Sequence, residues 1–180
     1  MSVQAAYDDC LDLGLSASLA QRSGAALAHF ARASALAPAS GVPHLLMGAE
    51  HACRGELALA ESAFTQALQL APDLHLARYQ LGLLQFGAQR TAEAMDTWQP
   101  LLALRESEPL GHFVRGFAAL VEEERADSVR HFRRGLALSR DEAAAALGVG
   151  TVVEAVERLL ESTGAVDTNE PDPDDGNRLQ

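Results

Sequence analysis

The sequence predicts an all-α protein built as a stack of repeated helix pairs, and three observations predict it. Glycines fall at Gly14, Gly48, Gly82, Gly116 and Gly150, each 34 residues after the last, and aromatic residues keep the same step at Phe30, Phe64, Trp98 and Phe132. Further registers share that period: Ala26, Ala60, Ala94 and Ser128, then Ala33, Ala67, Leu101 and Gly135. Glycine is only 14 of the 180 residues, so several registers in phase are not an effect of abundance. A fixed period between about 20 and 50 residues is the mark of a solenoid. Composition agrees: 34 alanines against 5% aromatics suit close-packed helices better than strands, which favour β-branched and aromatic side chains.

Each period holds two helices. In the period from Gly41 to Pro72, apolar residues at helical spacing run from Val42 to Arg54, and Gly55 breaks the run. A second helix spans Glu56 to Leu70, with Leu57, Ala60, Ala63, Phe64, Ala67 and Leu68 on one face. Ala71-Pro72-Asp73 ends it, because proline cannot continue a helix and restricts the residue before it. A glycine midway along the first helix costs about 1 kcal/mol against alanine. Its recurrence implies close approach of another helix, with the aromatic of the second helix packing across to the next pair. After the fourth period, Asp141 to Glu161 reads as one terminal helix closing the array, packed through Val152, Val153, Val156, Leu159 and Leu160. Residues 163–180 are rich in Asp, Glu and Pro and predict a disordered acidic tail, solubilising by default.

The pattern resembles the tetratricopeptide repeat family. The residues that carry the resemblance are Leu13-Gly14, Ala26, Phe30, Ala33 and Pro38, then Met47-Gly48, Ala60, Phe64, Ala67 and Pro72. The third repeat has Leu81-Gly82, Ala94, Trp98 and Leu101, with Glu106 in the proline slot; the fourth has Arg115-Gly116, Ser128, Phe132 and Gly135, with Arg140 there. The expected organisation is an array over 1–162, with repeats at about 7–40, 41–74, 75–108 and 109–142 and a capping helix over 141–162. The resemblance implies a right-handed superhelix whose first helices line a concave groove. At the matching offsets stand Leu11, Leu15 and Leu19; Leu45, Ala49 and Ala52; Leu76, Tyr79, Leu83 and Phe86; and Leu110, Phe113, Phe117 and Leu120. Chaperone-binding members of the family clamp a carboxylate with Lys, Arg and Asn. Here those offsets carry Asp8, Leu11, Asp12, Leu15, Leu45, Leu46 and Ala49, so that clamp is absent.

An apolar groove of this extent marks a binding site. Burying one Phe or Leu gains roughly 1.5–3 kcal/mol, whereas association costs about 4–15 kcal/mol. A partner must therefore place several apolar side chains along the groove, as an extended or helical protein segment does and a small metabolite does not. The expected function is a protein–protein interaction adaptor. The alternatives are a cytoplasmic secretion-system chaperone, resembling those of type III translocators, and a homo-oligomeric assembly or regulatory subunit, which sizing at two concentrations separates from a monomer. Phe117→Glu or Leu83→Arg is expected to abolish partner capture with helicity intact.

Other readings are excluded or weak. Net charge is −11, with a pI near 4.9, which disfavours nucleic acid and anionic membrane as partners. All 14 basic residues are arginine, which excludes lysine-dependent chemistry. Two cysteines, Cys10 and Cys53, suggest a reducing compartment. Without a signal peptide or membrane run, the expected location is cytoplasmic. His51 and Cys53 do not share a helix face, so no metal site is expected. His44 and His112 stand two periods apart and Cys10 shares their offset, which points to packing. Gly148-Val149-Gly150 lacks the context of a nucleotide loop. Arg125, Arg130, Arg133, Arg134 and Arg140 are read as balancing Glu122, Glu123, Glu124, Asp127 and a helix C-terminus. No catalytic arrangement or cofactor is expected.

Overall fold

In the computed structural model, which describes residues 2–139, the 34-residue period is drawn out as alternating helices. They are α1 (Val3–Leu19), α2 (Ser23–Leu36), α3 (Val42–Cys53), α4 (Leu57–Leu70), α5 (His75–Gly87), α6 (Thr91–Trp98), α7 (Pro109–Val121) and α8 (Arg125–Leu138). No strand occurs among the described residues. Helix α1 starts several residues ahead of the repeat because Ser2 caps it, its Oγ accepting the Ala5 N–H at 3.1 Å. The expected capping helix over 141–162, the expected tail over 163–180 and Arg140 lie outside the described residues.

The turn inside each pair is one motif used four times. Gln21, Gly55, Gln89 and Glu123 all adopt positive φ, between 57° and 73°. The next residue's N–H closes the turn onto the carbonyl five residues back: Arg22 to Ala17, Glu56 to His51, Arg90 to Gln85, and Glu124 to Ala119, at 2.8–2.9 Å. This is the Schellman arrangement, which satisfies carbonyls left open at a helix C-terminus. Only the second repeat supplies the glycine that this backbone favours. The turn therefore depends on hydrogen bonding and packing more than on residue type.

Helix α6 departs from its counterparts. It ends at Trp98 and continues as a 3-10 turn over Gln99–Ala103. Pro100 is the cause: it has no N–H to give to Asp96, and its ring crowds the preceding turn. Pro100 stands outside the slot of the repeat that Pro38 and Pro72 share. The following helix instead takes Pro109 into its first turn, where the missing N–H costs nothing. The chain then divides into two compact units, one ending at Arg105 and the other starting at Glu106.

Packing follows the glycine–aromatic registers. A Cβ added to Gly48 would lie 2.6 Å from the Phe64 ring, and one on Gly116 would lie 2.8 Å from Phe132. Phe30 and Trp98 close on Gly14 and Gly82 more tightly still. Each ring thus fills the notch in the first helix of its own pair, and Phe30 and Phe64 also belong to the clusters that join their pairs to the next, as the periodicity suggested. Neighbouring pairs in the first unit are joined by these rings together with smaller side chains. Ala17, Ala26 and Phe30 pack with Leu11, Leu46 and Met47, joining α1, α2 and α3. Leu45, Ala60, Phe64, Ala67, Ala77 and Leu81 join α3, α4 and α5. Leu57, assigned above to the packing face of α4, is 56% exposed, because it sits in the first turn before the helix meets its neighbours.

One register carries a misfit. Ser128 stands where the earlier repeats have Ala26, Ala60 and Ala94, and like them it has no exposed surface. Its Oγ has no hydrogen-bond partner. A buried unsatisfied hydroxyl costs about 1–3 kcal/mol. Ser128→Ala is therefore expected to raise stability by about 1 kcal/mol, read as a higher denaturant midpoint at unchanged slope.

Candidate functional site

The candidate groove residues lie on α1, α3, α5 and α7, the first helix of each pair, and the structure divides them. Tyr79 and Phe113 are fully buried, Phe117 is 2% exposed and Leu45 is buried. These four are core, which corrects their assignment to a ligand-facing wall. Tyr79 lies beside the Trp98 indole, ring centroids 6.1 Å apart, and burial pushes its phenol pKa up. Trp98 Nε1–H donates to the Tyr79 carbonyl at 3.0 Å. Phe113 fills the space above Gly135, and Phe117 meets Phe132 edge to face at 5.0 Å. Large rings at these offsets reach between the helices of their own pair, where burial of that area outweighs exposure to a groove.

The other candidates stay at least partly open. In the first unit, Leu15 is 43% exposed and Leu76 39%, while Leu11, Ala49, Leu83 and Phe86 are half-buried. Ala52 leans on the Leu45–Phe64 cluster, and Leu19 is exposed. Phe86 also leans on Trp98, centroids 5.9 Å apart, which holds its ring in place. In the second unit, Leu110 and Leu120 are half-buried. An open apolar set therefore survives, aliphatic apart from Phe86.

Polar groups on the same helices are engaged in holding the pairs. The buried Glu50 carboxylate of α3 accepts from Ser18 Oγ of α1. His44 Nε2 meets Ser34 Oγ at 3.0 Å, and burial holds this imidazole below its ordinary pKa. Thr97 Oγ1 donates to the buried Gln85 at 2.7 Å. Arg90 reaches Glu61 with two N–H groups, at 2.6 and 2.9 Å. At the α3–α4 turn, Glu56 accepts from His51 at 2.6 Å and from Arg54 at 2.9 Å, and these bonds hold its carboxyl below the usual range. Cys10, His44 and His112 are all buried, as their shared offset suggested. One contact escaped the sequence reading: His131 of α8 faces His112 of α7. The signal was present, since the two are 19 apart, as are Tyr79 and Trp98.

Among the described residues no three His, Cys, Asp or Glu side chains gather as metal ligands would, and no helix is long and apolar enough to cross a membrane. A shallow depression of about 440 Å³ lies on one face of α4, lined by Ala58, Glu61, Ser62, Thr65, Gln66 and Gln69. It involves a single helix and brings no candidate residues together.

No family model matches the sequence, and no curated protein matches it. Solved structures do. The chain is similar to a structure of the APC/C hetero-tetramer Cut9–Hcn1, with TM-score 0.70 and 23% identity over 87% of this chain and 30% of that one. It is similar to PilF of Pseudomonas aeruginosa, with TM-score 0.65 and 18% identity over 93% and 79%. It is similar also to MamA from Desulfovibrio magneticus RS-1, with TM-score 0.60 and 14% identity over 92% and 98%. At these identities the likeness is one of fold.

Proposed function

We propose that this chain, whose fold is that of the tetratricopeptide repeats, is a protein–protein interaction scaffold that holds an apolar segment of a partner on its first helices. The observation that carries the reading is the open apolar set left after the core is filled, above all Leu15, Leu76, Leu83 and Phe86 in the first unit. Side chains that could have served acid–base chemistry on these helices, such as Glu50 and His44, are committed to helix–helix hydrogen bonds. An extended or helical segment with several apolar side chains suits such a surface, because only several anchors together exceed the cost of association. The similar Cut9–Hcn1 structure is a complex, in keeping with a scaffold role for the fold.

The test uses the full chain as bait, with Leu15→Arg and Leu76→Arg as variants. Both positions are open enough to take arginine without opening the core. Capture of a partner by the wild type, and its loss by more than about tenfold in either variant at unchanged circular dichroism, is the expected result; that loss corresponds to about 1.4 kcal/mol, less than one buried leucine. Equal capture by all three proteins would place the binding surface elsewhere.

A further inference from the structure

The two histidines joining α7 to α8 form a hydrogen bond that can hold only one proton. His112 Nδ1 and His131 Nδ1 are 3.4 Å apart and the ring centroids 5.7 Å apart. The centroid separation exceeds the nitrogen separation by about two ring radii, so the nitrogens point head to head. That geometry suits N–H···N, not two lone pairs converging on a metal ion. The network sets the tautomers. His112 Nε2 lies 2.9 Å from the Glu106 carbonyl oxygen, which can only accept, so Nε2 carries the proton. Neutral His112 therefore presents a lone pair at Nδ1, and His131 donates its Nδ1–H into it.

The charged groups facing the pair come from both sides. The Glu106 carboxylate lies 3.3 Å from His112 Nε2 and 3.1 Å from Arg115 Nη1. On α8, Arg130 and Asp127 are paired at 2.7 Å. Burial first, then Arg130, His112 and Arg115, hold the His131 imidazole below its ordinary pKa, with Asp127 opposing them. His112 is buried and His131 half-buried, so water cannot freely take over the bond.

We propose that His112 and His131 are an acid-sensitive clasp between α7 and α8, closed while one proton lies between the two Nδ1 atoms and released when both rings are protonated. A second proton would set two N–H groups against each other, with no acceptor between them. A free imidazole takes a proton near the ordinary value of about 6.5, whereas two facing nitrogens that share one proton exclude a second, so the closed pair holds one fewer. The open form binds more protons, so opening is favoured as pH falls through that value and disfavoured above it. One excluded proton is worth about 30-fold in the opening equilibrium by about pH 5.

Amide hydrogen exchange on the full chain, at about pH 7.5 and pH 5 and corrected for intrinsic rates, reads this opening in α8. The comparison is with His131→Asn, whose amide donates N–H to neutral His112 Nδ1 and, turned over, accepts from a protonated Nδ1–H through its oxygen, so the closed form excludes no proton. His131→Gln is the second variant should Asn lose α8 protection at the higher pH. The expected result is a rise in α8 opening of about 30-fold in the wild type and only a few-fold in the variants. No rise in the wild type, or an equal rise in both variants, overturns the clasp. So does a nitrogen spectrum at the higher pH showing the His112 proton on Nδ1 instead of Nε2.

Discussion

Gly82→Ala is expected to destabilise the protein by about 1–3 kcal/mol, although alanine is the better helix former by about 1 kcal/mol. An added Cβ would run into the Trp98 indole. The indole cannot step aside: it is fully buried, flanked by Tyr79 and Phe86, and tied through Nε1–H to the Tyr79 carbonyl. Making room means either breaking that bond or parting α5 from α6, and either costs more than the gain in helix propensity. Gly24→Ala is the control, because nothing lies within 4 Å of the Cβ it would add, so it should be neutral or stabilising by up to about 1 kcal/mol. Denaturant unfolding of both variants checks the pair, and a Gly82→Ala protein at least as stable as wild type would show that the ring can yield.

Phe117→Glu is expected to unfold the α7–α8 hairpin, not to act as a clean binding mutation. Phe117 is 2% exposed and packs edge to face on Phe132, which itself fills the notch at Gly116. Removing a buried phenylalanine ring costs about 3–5 kcal/mol, and a carboxylate in its place adds the penalty of an unpaired buried charge. The sum is comparable to the whole stability of a small domain, about 5–15 kcal/mol. Far-UV circular dichroism should show lost helix, with α7 and α8 unprotected in hydrogen exchange. Leu76→Arg, on an open position, should leave both unchanged. A folded Phe117→Glu protein with a wild-type midpoint would return Phe117 to the surface.

Much of the fold was legible in the residues. The helix pairs, the break at Gly55, the end of α4 before Pro72 and the notch-and-ring pairing of Gly48 with Phe64 all rest on local rules. Glycine admits close approach, proline ends helices, and apolar residues recur at helical spacing. The candidate site was legible only as a set of helix positions. The offset shared by Leu15, Ala49, Leu83 and Phe117 runs from 43% exposed at its start to 2% at its end. That shared by Leu11, Leu45, Tyr79 and Phe113 runs from half-buried to fully buried. Equivalent places in the repeat do not have equivalent surroundings, because side-chain size decides whether a residue stays on its helix or reaches into the gap beside it.

The sequence by itself determined the period, the helical class and the positions where backbones come close, because each depends on residue size or backbone freedom at fixed spacing. Tertiary structure alone decided which apolar side chains remain for a partner and that His131 closes on His112. Those outcomes depend on how much space remains between packed helices and which polar atoms meet across it, and neither is a property of any one stretch of chain.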